Sequence, residues 1–286
     1  MSAHAYRLVR PDVQRTSVVF ASPHSGRNYD DHFLNNAVLD AHTLRSSEDA
    51  FVDMLFDTAP DVGAPFLTAV APRAWVDLNR ASEELDPALI EGVRRTSHNP
   101  RVSSGLGVIP RVVSNGRAIY SGKMPLSEAQ ARLERVWHPY HDKLTQLLED
   151  TGRLFGEAIL IDCHSMPHEA VANHTPRHRK TPDVVLGDRY GASADPRITA
   201  EIEHLFTCEG LTVARNTPFA GAYVAQQYGR PSRGQHVIQI EIDRSLYMDE
   251  STIQPNDDFA ATKDMMARIV AGIAGLCESD MPMAAE

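Results

Sequence analysis

An α/β fold is predicted for this chain, and two observations predict it. Three short apolar runs, residues 17–21 (SVVFA), 158–161 (AILI) and 236–240 (HVIQI), have the length and character of strands buried on both faces. Helical patterns over 125–152, 195–206 and 257–276 alternate with runs of this kind, the order expected of strands and helices packed in layers. Each of the three runs also leads into residues that can do chemistry: His24, His164 and Glu241. In open α/β folds the carboxyl ends of strands rim the ligand crevice, so polar residues placed there are candidates for a site.

Taken in order, residues 1–16 read as a lead-in, and the first strand run ends in a Pro23-His24-Ser25-Gly26 turn. Residues 27–36 are polar and turn-rich and read as a loop. Over 46–56 the pattern becomes helical: Ser47 is placed to cap, Glu48 and Asp49 fill the first turn, and Phe51, Val52, Leu55 and Phe56 form an apolar face. After a turn at 59–65, residues 66–70 read as a strand, and 73–80 alternate as a half-buried strand does. Residues 82–124 are rich in Gly, Pro, Ser and Arg with little periodicity, which suits a functional excursion over a site.

The strongest helical pattern is 125–152. Ser127 is its expected cap, Leu133, Val136, Trp137, Leu144, Leu147 and Leu148 recur at helical spacing, and Pro139 should break or kink it. Residues 168–182, with His174, Arg177, His178, Arg179 and Lys180, resemble a mobile loop. Strands follow at 183–188 and 211–215 around the helix at 195–206, and a Gly-rich loop at 216–234 leads to the strand that carries Glu241. There is no internal repeat, and the 286 residues are expected to form a single domain over 1–286.

Composition narrows the function classes. A hydrophobic content of 42% and a charged content of 23% are ordinary for a soluble globular protein. No apolar run reaches membrane-spanning length and the N-terminus lacks a signal-like segment, so no membrane association and a cytoplasmic address are expected. The formal charge of −10 argues against nucleic acid as a partner, because phosphate contacts need clustered Lys and Arg, but leaves room for an anionic small molecule met by one or two local arginines. Three well-separated cysteines, Cys163, Cys208 and Cys277, fit a reduced compartment and give no paired metal-binding pattern.

Several residues could carry chemistry. His24 and His164, with Asp49 or Glu48 supplying a carboxylate, could hold a catalytic zinc ion, which takes three protein ligands and keeps one position open. The local His-Glu-x-x-His and His-x-x-Glu signatures are absent, Arg27 standing three residues after His24, and the structural alternative is a pair of hydrogen-bonded histidines at strand ends. Glu241 lies between Ile240 and Ile242, and a buried carboxylate is costly unless paired or functional; its structural alternative is a salt bridge with Arg244. Asn79 and Arg80 could grip a carboxylate through a charge-assisted fork, or Arg80 could make a structural pair. Ser25 and Ser165 lie outside any Gly-x-Ser-x-Gly elbow, Cys163 ends a buried run, and no Gly-x-Gly-x-x-Gly or Walker pattern occurs.

Taken together, residues 22–26 (SPHSG), Asp49, residues 77–80 (DLNR), residues 162–165 (DCHS) and residues 231–250 (PSRGQHVIQIEIDRSLYMDE) resemble the N-formylglutamate amidohydrolase family over about residues 17–270. The resemblance implies a three-layer α/β/α fold with a mixed, mainly parallel sheet, zinc carboxypeptidase-like and phosphorylase/hydrolase-like. It implies one Zn2+ per chain on His24, His164 and Asp49, with Glu48 as the alternative to Asp49. It further implies Glu241 as general base, Arg73 as an oxyanion-stabilising cation, and Asn79 and Arg80 on the α-carboxylate of a small N-acyl amino acid. Metal-dependent hydrolysis of an N-formyl or other N-acyl amino acid would then release formate, or another small acid, and the amino acid. The same residues would serve a zinc carboxypeptidase or another N-acyl-amino-acid hydrolase, and a non-catalytic metal- or ligand-binding protein is the alternative from a different class.

Overall fold

The computed structural model describes residues 5–94, 99–175 and 180–277. Seven strands form one mixed, mainly parallel sheet: β1 (Tyr6–Val9), β2 (Val18–Ser22), β3 (Phe66–Ala69), β4 (Ala158–Met166), β5 (Val184–Gly187), β6 (Val213–Arg215) and β7 (Gln235–Asp243). Their order across the sheet is β1-β3-β2-β4-β7-β5-β6. The central strands β3, β2, β4 and β7 run parallel, β1 runs antiparallel to β3, and β5, which is parallel to β6, runs antiparallel to β7.

Side chains alternate across each strand, so the sheet feeds two cores. On one face Val19, Leu160 and Val237 pack with Tyr140, Leu144, Leu147 and Leu148 of the helix His138–Phe155. On the other, Phe20, Ile161, Ile238 and Ile240 pack with Ile202 and Phe206 of Pro196–Cys208 and with Met266, Ile269 and Ile273 of Phe259–Ala274. The result is the expected three-layer α/β/α arrangement.

The first face changes character along its central strands. Ala158 and Leu160 of β4 and Val237 of β7 belong to the core, but the next residues on that face, Asp162 and His164 and then Gln239 and Glu241, are buried and polar. Asp162 pairs with Gln239 and His164 with Glu241, so the four side chains form a polar patch toward the carboxyl ends of the strands. From β2 the chain crosses to β3 on one side, and from β4 it runs to strands on the other. The patch therefore borders the β2–β4 boundary, where an open α/β sheet reverses its strand order and forms a crevice.

Several expected elements take other forms. Of the helix expected over 46–56 only Val52–Leu55 forms, preceded by turns and by a separate short helix Ala41–Arg45, because Phe51 adopts a left-handed conformation with φ of 65° and interrupts the helical path. Ser47 caps nothing there; its hydroxyl accepts the Ser114 N–H, and Glu48 and Asp49 occupy the intervening turn. Residues 73–80 are successive turns, not a strand. Ala74 to Arg80 are all buried, and the N–H groups of Trp75 and Val76 both point back to the Pro72 carbonyl. The expected loop at 27–36 contains the helix Asp31–Asn36, whose Phe33 N–H is capped by Asp30.

The long central helix runs as Leu126–Arg132, a π-helical turn Leu133–Trp137, and His138–Phe155, with Pro125 and not Ser127 at the N-cap. The wider turn just before Pro139 accommodates a residue that has no N–H and crowds the preceding carbonyl. The described part of 82–124 packs Leu89, Ile90, Val108, Ile109 and Ile119 into the core, so it forms a structured cover. The expected loop 168–182 opens with the helix His168–Ala172, while Arg177, His178 and Arg179 lie outside the described residues. The loop 216–234 contains the helix Tyr223–Tyr228.

Candidate metal centre

His24 stands two residues past β2 in a tight turn, where the Ser22 and Ser25 hydroxyls are 2.9 Å apart. Gly26 closes that turn against a neighbouring loop: a Cβ there would stand 2.1 Å from the Ala71 carbonyl oxygen, so only glycine fits. The His24 carbonyl accepts the Asp49 N–H at 3.1 Å, which ties the turn between the two short helices to the strand end. Asp49 and not Glu48 faces the crevice, since Glu48 turns its carboxylate to Arg45 at 3.1 Å.

The two imidazoles meet edge to face, with ring centroids 4.7 Å apart. His24 Nε2 lies 2.7 Å from Asp77 Oδ1; a carboxylate only accepts, so the ring carries a proton on Nε2. His24 Nδ1 is then left buried, 3.3 Å from Asp49 Oδ2 and without a hydrogen bond. His164 repeats the arrangement, with Nε2 3.0 Å from Asp162 Oδ2 and Nδ1 2.9 Å from Asp49 Oδ2. Burial opposes a charge on His164, but Asp162 and Asp49 outweigh it and hold its pKa well above the ordinary value. Asp49 is held well below the usual carboxylate range by His164 and His24 against the effect of burial. Its other oxygen is fixed by Arg244, whose Nη2 donates to Asp49 Oδ1 at 3.0 Å and to the Glu48 carbonyl at 2.6 Å.

Glu241 stands beside His164 on the adjacent strand, and its Oε1 accepts from Gln239 Nε2 at 2.7 Å. Burial pushes its pKa up to about 7, with Asp49 and Asp162 adding to the rise and His164 and Arg73 opposing it. The Arg244 partner considered from sequence pairs with Asp49 instead. Arg73 Nε donates to Asp77 Oδ2 at 3.0 Å. Asn79 is occupied by the protein: its Oδ1 accepts the Val224 N–H at 2.8 Å, and its Nδ2 lies 3.2 Å from His164 Nε2 and 3.4 Å from both Asp162 Oδ2 and Gln239 Oε1. Arg80 is braced by the Leu106 and Asn79 carbonyls at 3.1 and 2.9 Å and lines an adjoining cleft.

Sequence reasoning on ligands passed over the carboxylates behind the histidines. Asp162 was legible in principle, since a residue two before His164 on a strand shares its face. Asp77 and Arg244 arrive through tertiary contacts that no local pattern carries.

These residues fit a divalent cation. The ligand atoms of His24, Asp49 and His164 lie within 4.8 Å of one another, all three residues are buried, and the buried Nδ1 of His24 has no hydrogen bond. The far nitrogen of each histidine lies beside a carboxylate, His24 Nε2 hydrogen-bonded to Asp77 and His164 Nε2 3.0 Å from Asp162, as in metal-bound histidines whose second nitrogen is held to fix tautomer and orientation.

Comparison with known proteins agrees with this geometry. Residues 16–248 match the family model described as N-formylglutamate amidohydrolase. The chain is 31% identical over 271 residues to an N-formylglutamate deformylase of Pseudomonas aeruginosa, covering 93% of this chain and 92% of the relative. It is 30% identical over 242 residues to an N-formylglutamate deformylase of Pseudomonas putida, covering 83% and 84%. The crystal structure of N-formylglutamate amidohydrolase from Ralstonia eutropha JMP134 superposes with a TM-score of 0.90 at 34% identity, covering 96% of this chain and 99% of that one.

Proposed function

Because the chain belongs to the N-formylglutamate amidohydrolase family, we propose that it hydrolyses the amide bond of N-formyl-L-glutamate to formate and glutamate. The observation that carries this reading is the buried His24–Asp49–His164 group with Glu241 beside it in the strand register. We propose zinc as the ion held by those three residues, in keeping with a donor set of two imidazoles and one carboxylate. Such an ion supplies Lewis acidity toward the carbonyl and lowers the pKa of a water toward ~7.

The remaining work belongs to the chain. Glu241 accepts the proton of the attacking water and returns it to the amine nitrogen as the C–N bond breaks, so that water's OH ends on the formyl carbon and its H on glutamate. A carboxyl poised near neutral pH suits both transfers, and the Gln239 amide holds it in place. Arg73 faces the charge that develops on the carbonyl oxygen, while Asp77 fixes that guanidinium and the His24 ring together. Arg80 receives the α-carboxylate at the cleft wall. With its amide committed to β4, β7 and the 224 backbone, Asn79 positions Arg80 and the histidine side of the site.

The test is a panel of N-formyl-L-glutamate, N-acetyl-L-glutamate and a glutamate-terminated dipeptide, assayed with metal content on one preparation. Fastest turnover of the formyl compound supports the reading; preference for the dipeptide indicates a carboxypeptidase, and turnover of none indicates a binding protein.

A further inference from the structure

The cleft that opens at Arg80 carries more positive charge than one carboxylate needs. It has a volume of about 360 Å³, and Arg80, Arg101, Arg189, Glu84, Gly221 and Tyr223 are among the residues that line it. Glu84 is already engaged, accepting the Ala81 N–H at 3.1 Å and Asn99 Nδ2 at 3.0 Å. By contrast, among the described residues the half-buried Arg189 has no hydrogen-bond or ion-pair partner for its guanidinium.

Arg189 is also held in a costly backbone. Arg189 and Tyr190 both adopt left-handed conformations, with φ of 53° and 58°, which residues bearing a Cβ rarely take in succession. Asn216 enforces the turn: its Oδ1 accepts the N–H groups of Asp188 and Tyr190 at 3.1 and 3.2 Å, and its Nδ2 donates to Asp188 Oδ1 at 2.8 Å. The Arg189 N–H donates to the Ala220 carbonyl at 2.8 Å. The Arg189 stem lies over Gly221, where a Cβ would stand 3.3 Å from Arg189 Cγ and 2.9 Å from Ala225 Cβ. The cleft floor beneath it is tied to the reaction centre, since the Ala222 N–H donates to Gln239 Oε1 at 3.0 Å and Gln239 in turn holds Glu241.

We infer that Arg189 is a specificity residue that binds a second carboxylate, the side-chain carboxylate of an acidic N-acyl amino acid whose α-carboxylate is held by Arg80. This inference rests on the hydrolase reading above. An unpartnered arginine on a rigid turn, across a small cleft from a braced one, suits a dianion, and a substrate lacking the second charge leaves that arginine unpaired.

The experiment compares kcat/KM for N-formyl-L-glutamate and N-formyl-L-glutamine. The native enzyme is expected to favour glutamate by roughly 100-fold, and Arg189→Gln to lose roughly that factor on glutamate, chiefly in KM, with about 3-fold or less change on glutamine. Arg189→Lys, which keeps the charge on the same backbone, should recover part of the loss. Arg80→Ala should lower both substrates alike, since both carry the α-carboxylate. Equal loss on both substrates in Arg189→Gln, or native turnover without discrimination, overturns the inference and leaves the hydrolase reading standing. The native discrimination requires no variant, so a poorly folding Arg189→Gln does not shelter the inference. Failure of the native enzyme to turn over either substrate overturns the hydrolase reading and this inference with it.

Discussion

At the scale of single residues, the site is two imidazoles that each carry a carboxylate behind and turn the other nitrogen toward Asp49. Glu241→Gln tests the division of labour. Glutamine keeps the size of the side chain and its hydrogen bonding but cannot take a proton from water, so kcat should fall by ~100-fold or more while metal content and melting temperature stay near native. Near-native turnover would assign the proton to another group. Asp162→Asn tests the support behind His164: losing the charge at the far nitrogen should weaken metal binding by roughly 10- to 100-fold in a chelator competition, with the fold intact, and an unchanged affinity would make Asp162 a packing residue. His24, His164 and Glu241 were legible because each follows or interrupts an apolar run. Asn79 was expected on the substrate; its Oδ1 accepts the Val224 N–H, a contact between residues 145 positions apart that spacing does not reveal.

At the scale of elements, the helix His138–Phe155 does more than cover the sheet. His141 is buried with Nε2 3.0 Å from the Leu78 carbonyl and Nδ1 2.8 Å from the Tyr228 hydroxyl, so a neutral ring donates to one and accepts from the other. Trp137 Nε1 donates to the Arg80 carbonyl at 2.9 Å, and together the two rings pin the loop that presents Asp77 and Arg80. Burial pushes the His141 pKa down to about 3, against the Leu78 carbonyl, which favours the charged ring. Below its unfolded pKa of about 6.5 the unfolded chain takes up a proton that the folded chain refuses, so stability falls as pH drops from there toward 3, by up to ~1.4 kcal/mol per pH unit. Urea unfolding at several pH values between 4.5 and 7.5 should show a shallower dependence in His141→Gln than in the native protein, and identical slopes would remove His141 from the account. Strands β2, β4 and β7 were legible because runs such as 158–161 have few other uses. The segment 46–56 was not, because its apolar spacing imitates a helix and nothing local announces the left-handed Phe51. Likewise 73–80 imitates a strand, yet its polar residues turn inward to the site.

At the scale of the whole molecule, the alternation of apolar runs and helical patterns was enough for the α/β class, since each unit must bury one face against another layer. Strand order was not legible: that β2 lies between β3 and β4, and that β5 returns antiparallel to β7, depends on pairings between distant segments. That order matters for chemistry, because it sets the ends of β2 and β4 side by side at the reversal point and so brings His24 to His164. The fold also reconciles a chain of formal charge −10 with an anionic substrate, by gathering Arg80, Arg101 and Arg189 in one cleft beside the site. The most direct test is elemental analysis of the purified protein together with N-formyl-L-glutamate turnover before chelation, after chelation, and after zinc is restored. The account predicts about one divalent ion per chain, loss of turnover when it is removed, and recovery when zinc returns. Full turnover in protein shown to be metal-free would contradict it.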